Sequence, residues 1–239
     1  DLVGANLRGL DLTQARLGAP MLQGAQLQVT KLDGQDLRDA FLARAVFTQA
    51  SLVGVNLEGA DLARCDFRNA NLSRARLAEC AFVEANLEAA VLTGADLHEA
   101  DLYEAKLAGA KLDGVNLADA EMRGADATDL DLTGANLTGC DFDGVDLSGA
   151  TLAGAIIARV SLEGARLVGA KLGGLAMVDV DFSDAILTDA TFDEADLTRA
   201  CFDGADLTRA SLRRVKARDA DFSRAKLEKA DLRGADLRG

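Results

Sequence analysis

The chain has 239 residues, 49% apolar and 27% charged, with 39 acids against 26 bases and a formal net charge of −13. That balance opposes contact with a phosphate backbone, and no apolar run reaches the roughly 18 residues needed to cross a bilayer. A single histidine and four cysteines without a C-x-x-C spacing leave little for metal or redox chemistry, and no signal-peptide pattern opens the chain.

From Leu2 to Leu237 a leucine or phenylalanine recurs every five residues without a slip of phase. Of the 48 positions in this register 43 are Leu or Phe, the exceptions being Met122, Ala127, Ile157, Met177 and Ala217. A step of five rotates a helical side chain by about 140° and scatters it around the axis. On a continuous strand an odd period sends successive side chains to opposite faces. All the leucines point inward only if the chain turns a corner once per five residues and winds about a central axis. The spacing therefore predicts one all-β solenoid domain over residues 1–239.

The flanking positions agree. The residue two before the leucine is Ala in 32 of 47 cases, and Gly stands two after it in 21 of 48, where a type II turn needs positive φ. Ala and Leu are expected to point in, the residue between them out. Ala60-Asp61-Leu62, Ala95-Asp96-Leu97, Ala135-Asn136-Leu137 and Ala205-Asp206-Leu207 carry an A(D/N)LxG-type signature, by which the chain resembles the pentapeptide repeat family over its whole length. The resemblance implies a right-handed quadrilateral β-helix with four pentapeptides per coil, 20 residues per turn and about 12 coils. At roughly 4.8 Å per coil such a rod is about 55 Å long. Phe142, Leu162, Phe182, Phe202 and Phe222 then stack on one wall.

Along the chain, Pro20 falls at an inward corner and is expected to interrupt regular pairing there. Met21 and Phe41 on one wall and Val46 on the next stand at outward positions, an apolar patch of the kind that marks a contact. Ile156 and Ile186 are outward but isolated. Cys65, Cys80 and Cys140 occupy the inward small-residue position, whereas Cys201 points outward. His98, at a turn, reads as a surface residue. Ala127 and Ala217 underfill the ladder, and Leu130 and Val215 enlarge neighbouring small positions, a sign of volume compensation. The chain begins at Asp1 and ends at Gly239, each inside a repeat. It reads as an excerpt of a longer protein, with coaxial stacking on other copies as the alternative.

Sorting charge by position in the 20-residue coil singles out one wall. It holds Asp1, Asp61, Glu84, Asp101, Glu104, Glu121, Asp141, Asp143, Glu163, Asp181, Asp184, Asp203 and Asp221 against Arg44, Arg64, Arg123 and Arg224. Thirteen acids against four bases make its net charge −9 of the total −13. A uniform rod presents these groups on flat walls, without the concavity a catalytic site needs, so no enzyme, metal site or cofactor is expected.

Two functional readings follow. The first is a cytoplasmic, protein-binding scaffold that docks an unidentified partner through Met21, Phe41 and Val46. The second comes from the resemblance: acidic pentapeptide repeat proteins imitate B-DNA and bind DNA gyrase or topoisomerase IV, protecting bacteria from quinolones or from their own gyrase poisons. A rod of about 55 Å matches roughly 16 base pairs carrying about 32 phosphates, so −13 makes a dilute imitation. Neither the dimerising C-terminal helix nor the interrupting loop of that subgroup is present in these 239 residues. Direct nucleic-acid binding and membrane association are not expected.

Overall fold

The computed structural model describes residues 2–17 and 20–239. Its unit is five residues long, and Asp61–Cys65 shows how the unit satisfies its own backbone. The Asp61 N–H donates to the Ala40 carbonyl one coil back (3.1 Å), and those of Leu62 and Arg64 donate to the Ala81 and Val83 carbonyls one coil ahead (2.9 and 2.8 Å). The Cys65 N–H closes the turn on the Leu62 carbonyl at 3.1 Å. The fifth donor, the Ala63 N–H, has no backbone acceptor and is taken by Asp61 Oδ1 at 3.1 Å. Every N–H of the unit thus has a partner.

Coils join through parallel bridges between residues 20 apart, arranged in four ladders; one runs from Met21 through Phe41, Asp61, Asp101 and Asp141 to Asp221. The 20-residue coil expected from the sequence is therefore the pairing period. Each bridge is a single residue, and no continuous strand forms in the described residues. The reason is geometric: the backbone stays extended only around the residue before the leucine, then bends into the next turn.

Among the described residues the turn's second central residue has positive φ at 21 glycines, and also at 25 non-glycine residues such as Arg64, Glu84, Ala89 and Asp184. Glycine removes the Cβ penalty at this corner, roughly 1–2 kcal/mol, but the ladders hold the corner whichever residue stands there. At Gly59, with φ of 70°, an added Cβ would also come within 2.9 Å of the Asp39 carboxylate.

Leucines and alanines of the two inward positions form one continuous core. Phe47 stacks on Phe67 at 4.8 Å, and Phe182, Phe202 and Phe222 stack in sequence at 4.9 Å, which sets the rise per coil. Phe192 meets Phe182 and Phe202 edge-on. Two polar residues share the inward position. Thr30 donates its hydroxyl to the Leu27 carbonyl at 2.6 Å, and Gln35 donates its amide to the Thr13 carbonyl at 2.8 Å. Ala127 and Leu130 are both fully buried, and Ala217 and Val215 nearly so. Pro20 does not end the pairing on its carbonyl side, because that carbonyl accepts the Phe41 N–H at 3.2 Å.

Candidate functional site

Of the acids assigned to one wall, Asp61, Asp101, Glu121, Asp141, Asp181 and Asp221 stand in one ladder, Glu84, Glu104, Asp143, Glu163, Asp184 and Asp203 fall on the turns that follow its rungs, and Asp1 lies outside the described residues. Where the outward residue before the leucine or phenylalanine of this ladder is Asp, it has a structural task. Asp61, Asp101, Asp141, Asp181 and Asp221 each accept the backbone N–H two residues on, at 2.8–3.1 Å. These are Asx turns repeated on every second coil. Hydrogen bonds from the Ser223 hydroxyl and N–H hold Asp221 below the usual carboxylate range.

Three of the wall's four bases are engaged with its acids. Arg64 pairs with Glu84 at 2.7 Å, Arg123 with Asp141 at 2.9 Å, and Arg224 with Asp203. The Arg64 and Arg224 guanidiniums lower the Glu84 and Asp203 carboxyls. Asp143 accepts the Ser161 hydroxyl. Among the described residues Asp61, Asp101, Glu104, Glu121, Glu163, Asp181, Asp184 and Asp221 make no ion pair. The exposed Tyr103 lies beside Glu104, whose carboxylate holds the phenol proton and pushes Tyr103 up. With coils 4.9 Å apart, this wall spaces its carboxylates far more widely than the roughly 1.7 Å per charge of duplex DNA.

At the other end of the same ladder, Met21 and Phe41 are bridge partners with 48% and 53% of their surface exposed. Val46 is half-buried in the neighbouring ladder, between Gln26 and Asp66. A depression of about 430 Å³ lies on this wall, lined by Gln23, Ala43, Arg44, Ala63, Arg64, Val83 and Glu84. Exposed Val3 and Val29 were not singled out in the sequence. Their signal was a valine outside the two inward positions.

The residues with reactive side chains are occupied elsewhere. His98 has Nδ1 2.9 Å from the Ala118 carbonyl and Nε2 3.0 Å from Glu99, on an exposed turn. The Cys65 and Cys80 thiols donate to the Leu42 and Leu57 carbonyls at 3.0 and 2.9 Å. Burial pushes both up to about 12, and pushes Cys140 up as well. Cys201 is half-buried, with Sγ 3.2 Å from the Ser183 hydroxyl. Among the described residues no three His, Cys, Asp or Glu side chains gather as metal ligands, and no helix is long and apolar enough to cross a membrane.

The family model for pentapeptide repeats matches in eight copies, over residues 31–69, 70–107, 100–139, 135–174, 177–214 and 200–239. The chain belongs to the pentapeptide repeat family. Its solved relatives include HetL of the cyanobacterium Nostoc sp. strain PCC 7120, a pentapeptide repeat protein involved in heterocyst differentiation regulation. HetL is 30% identical over 90% of each chain, with a TM-score of 0.44. QnrB1, a plasmid-mediated fluoroquinolone resistance protein, is 17% identical over 97% of this chain and 91% of its own, with a TM-score of 0.25. A pentapeptide repeat protein of the Arabidopsis thaliana thylakoid lumen is 22% identical over 72% of this chain and 68% of its own, with a TM-score of 0.14. No curated protein matches. Family membership accounts for the repeat.

Proposed function

We propose that this pentapeptide repeat chain is a non-enzymatic, protein-binding rod of the bacterial cytoplasm, a right-handed quadrilateral β-helix of about 12 coils. It docks a protein partner through the Met21 and Phe41 end of its acidic ladder, with Val46 at the margin. The observation that carries this reading is the exposure of two large apolar side chains on adjacent rungs, on the wall that also carries the depression lined in part by Ala43, Ala63 and Val83. Elsewhere the same ladder places Asp at five rungs, 61, 101, 141, 181 and 221, where it caps the turn, and the small or polar Ala81, Glu121, Ser161 and Cys201 at the others. Met21 and Phe41 forgo that cap, which suits a surface kept for contact. Affinity capture from a bacterial lysate, compared with a Met21→Ser/Phe41→Ser variant, tests it. The partner should be lost from the variant and retained when Asp141 and Asp181 become Asn. Retention by the serine variant would refute the apolar site.

The second reading is DNA mimicry toward gyrase or topoisomerase IV. It is favoured by the run of acids from Asp101 to Asp221 in which only Asp141 and Asp203 are ion-paired among the described residues. The wide spacing of these charges and their use as turn caps place it second.

A further inference from the structure

The ladders are not uniform along the rod. Between residues 141–160 and 161–180 the two coils stay joined on one side, where Phe142, Leu147 and Gly149 donate to the carbonyls of Ser161, Arg166 and Val168 at 2.7–3.0 Å. On the wall of Ile156 and Ala176 the seam is open, although beside it the Lys171 N–H still donates to the Ala150 carbonyl at 3.0 Å and the Leu152 N–H to the Lys171 carbonyl at 3.2 Å. The N–H groups of Gly154, Ile157, Arg159, Ala176 and Asp181 make no intercoil hydrogen bond among the described residues. The ladder that joins Asn136 to Ile156 and Ala176 to Asp196 has no bridge between Ile156 and Ala176. One coil further on, the equivalent donors Gly174, Met177, Asp179, Asp196 and Cys201 are all bonded, at 2.7–3.1 Å.

The cause lies in the core. Val160, Leu175 and Val180 fill inward positions that elsewhere hold mostly Ala, and all three have lost the hydrogen bond that closes their turn. Ile157 and Met177 replace Leu or Phe in the central register of the same wall. Extra volume packed into one corner of two successive coils forces their backbones apart. Ile156 and Val178, 57% and 36% exposed, flank the opening.

We infer that this seam is a hinge. Its intact side is the pivot and its open side lets the two segments bend, so that Asp141 and Asp143 before it and Asp181 and Asp184 after it do not keep one fixed spacing. Cooperative units separated by a strip of missing hydrogen bonds open more easily than the units themselves. The bend would let an otherwise stiff rod follow a curved partner surface, whichever part of the rod that partner contacts.

Spin-label distance measurements on the full chain test the hinge. In a Cys201→Ser background, labels at Asp119→Cys and Arg199→Cys span four coils across the seam, whereas labels at Asp39→Cys and Asp119→Cys span four coils without crossing it. All these sites are exposed corners. The crossing pair should give a distance distribution at least about twofold broader. Equal widths would overturn the hinge. Amide exchange supplies the second readout: Gly154, Ile157, Arg159, Ala176 and Asp181 should exchange at least about tenfold faster than their counterparts one coil on. Equal protection would mean the seam is closed in solution and would overturn the inference independently.

Discussion

Asp141 shows how one side chain serves two purposes. Its Oδ1 accepts the Asp143 N–H at 2.9 Å, while Oδ2 receives Arg123. The first contact satisfies a donor that the backbone leaves over in every pentapeptide; the second is a surface ion pair of small net value. Asn keeps the acceptor and drops the charge. Asp141→Asn should therefore melt within a few tenths of a kcal/mol of the parent, and Asp141→Ala should lose about 0.5–1.5 kcal/mol. Chemical denaturation of the pair measures this, and equal losses would mean that the charge, not the cap, is what the fold uses. The preference for Asp or Asn before each leucine was visible in the sequence, but it read there only as polarity on an outward face. Its cause needed the count of backbone donors.

At the scale of the pentapeptide, the irregular units are coupled in pairs. Ala127 and Leu130 are both fully buried, which suits a large side chain filling space beside a small one, and the Leu130 turn bond is absent among the described residues. Ala127→Leu alone should overpack the corner and cost about 1–3 kcal/mol. Leu130→Ala alone should open a cavity costing about 2–5 kcal/mol. The double substitution restores the usual small and large order and should recover most of the loss. Additive losses in a double-mutant cycle would show that the two sites do not share volume. Period five made this level legible, since an inward Leu and Ala in each unit admit only a winding chain. Two features were less accessible. The corner accepts Arg, Glu and Asp as well as Gly, despite the Cβ penalty, because neighbouring coils hold its backbone. The open seam follows from Ile157, Val160, Leu175, Met177 and Val180 lying close together in space, a clustering spread over 24 residues of sequence.

For the whole molecule, the decisive quantities are charge and its placement. Ion pairs and turn hydrogen bonds lower the carboxyls of Asp66, Asp179, Asp189, Asp203, Asp206, Asp231 and Asp236, led by Arg68, Arg199, Arg209, Arg224, Thr208, Arg233 and Arg238 respectively. Groups lowered in the folded state favour folding above their unfolded value of about 3.9, and this contribution fades as they take up protons below it. Thermal stability should therefore hold level from neutral pH to about 5 and fall below about 4. A rise in stability on acidification would mean that relief of the −13 net charge outweighs these contacts. Asp61, Asp101, Asp141, Asp181 and Asp221 on the acidic wall belong to the same system of caps and pairs, and on the proposed reading this separates a rod that binds through Met21 and Phe41 from an imitation of DNA.

A gyrase supercoiling titration at two salt concentrations, beside a variant with Asp141, Asp143, Asp181 and Asp184 changed to Asn, tests that separation most directly. The account predicts no inhibition by either protein. Inhibition by the parent that weakens with salt and disappears in the variant would contradict it and make the acidic wall the recognition surface.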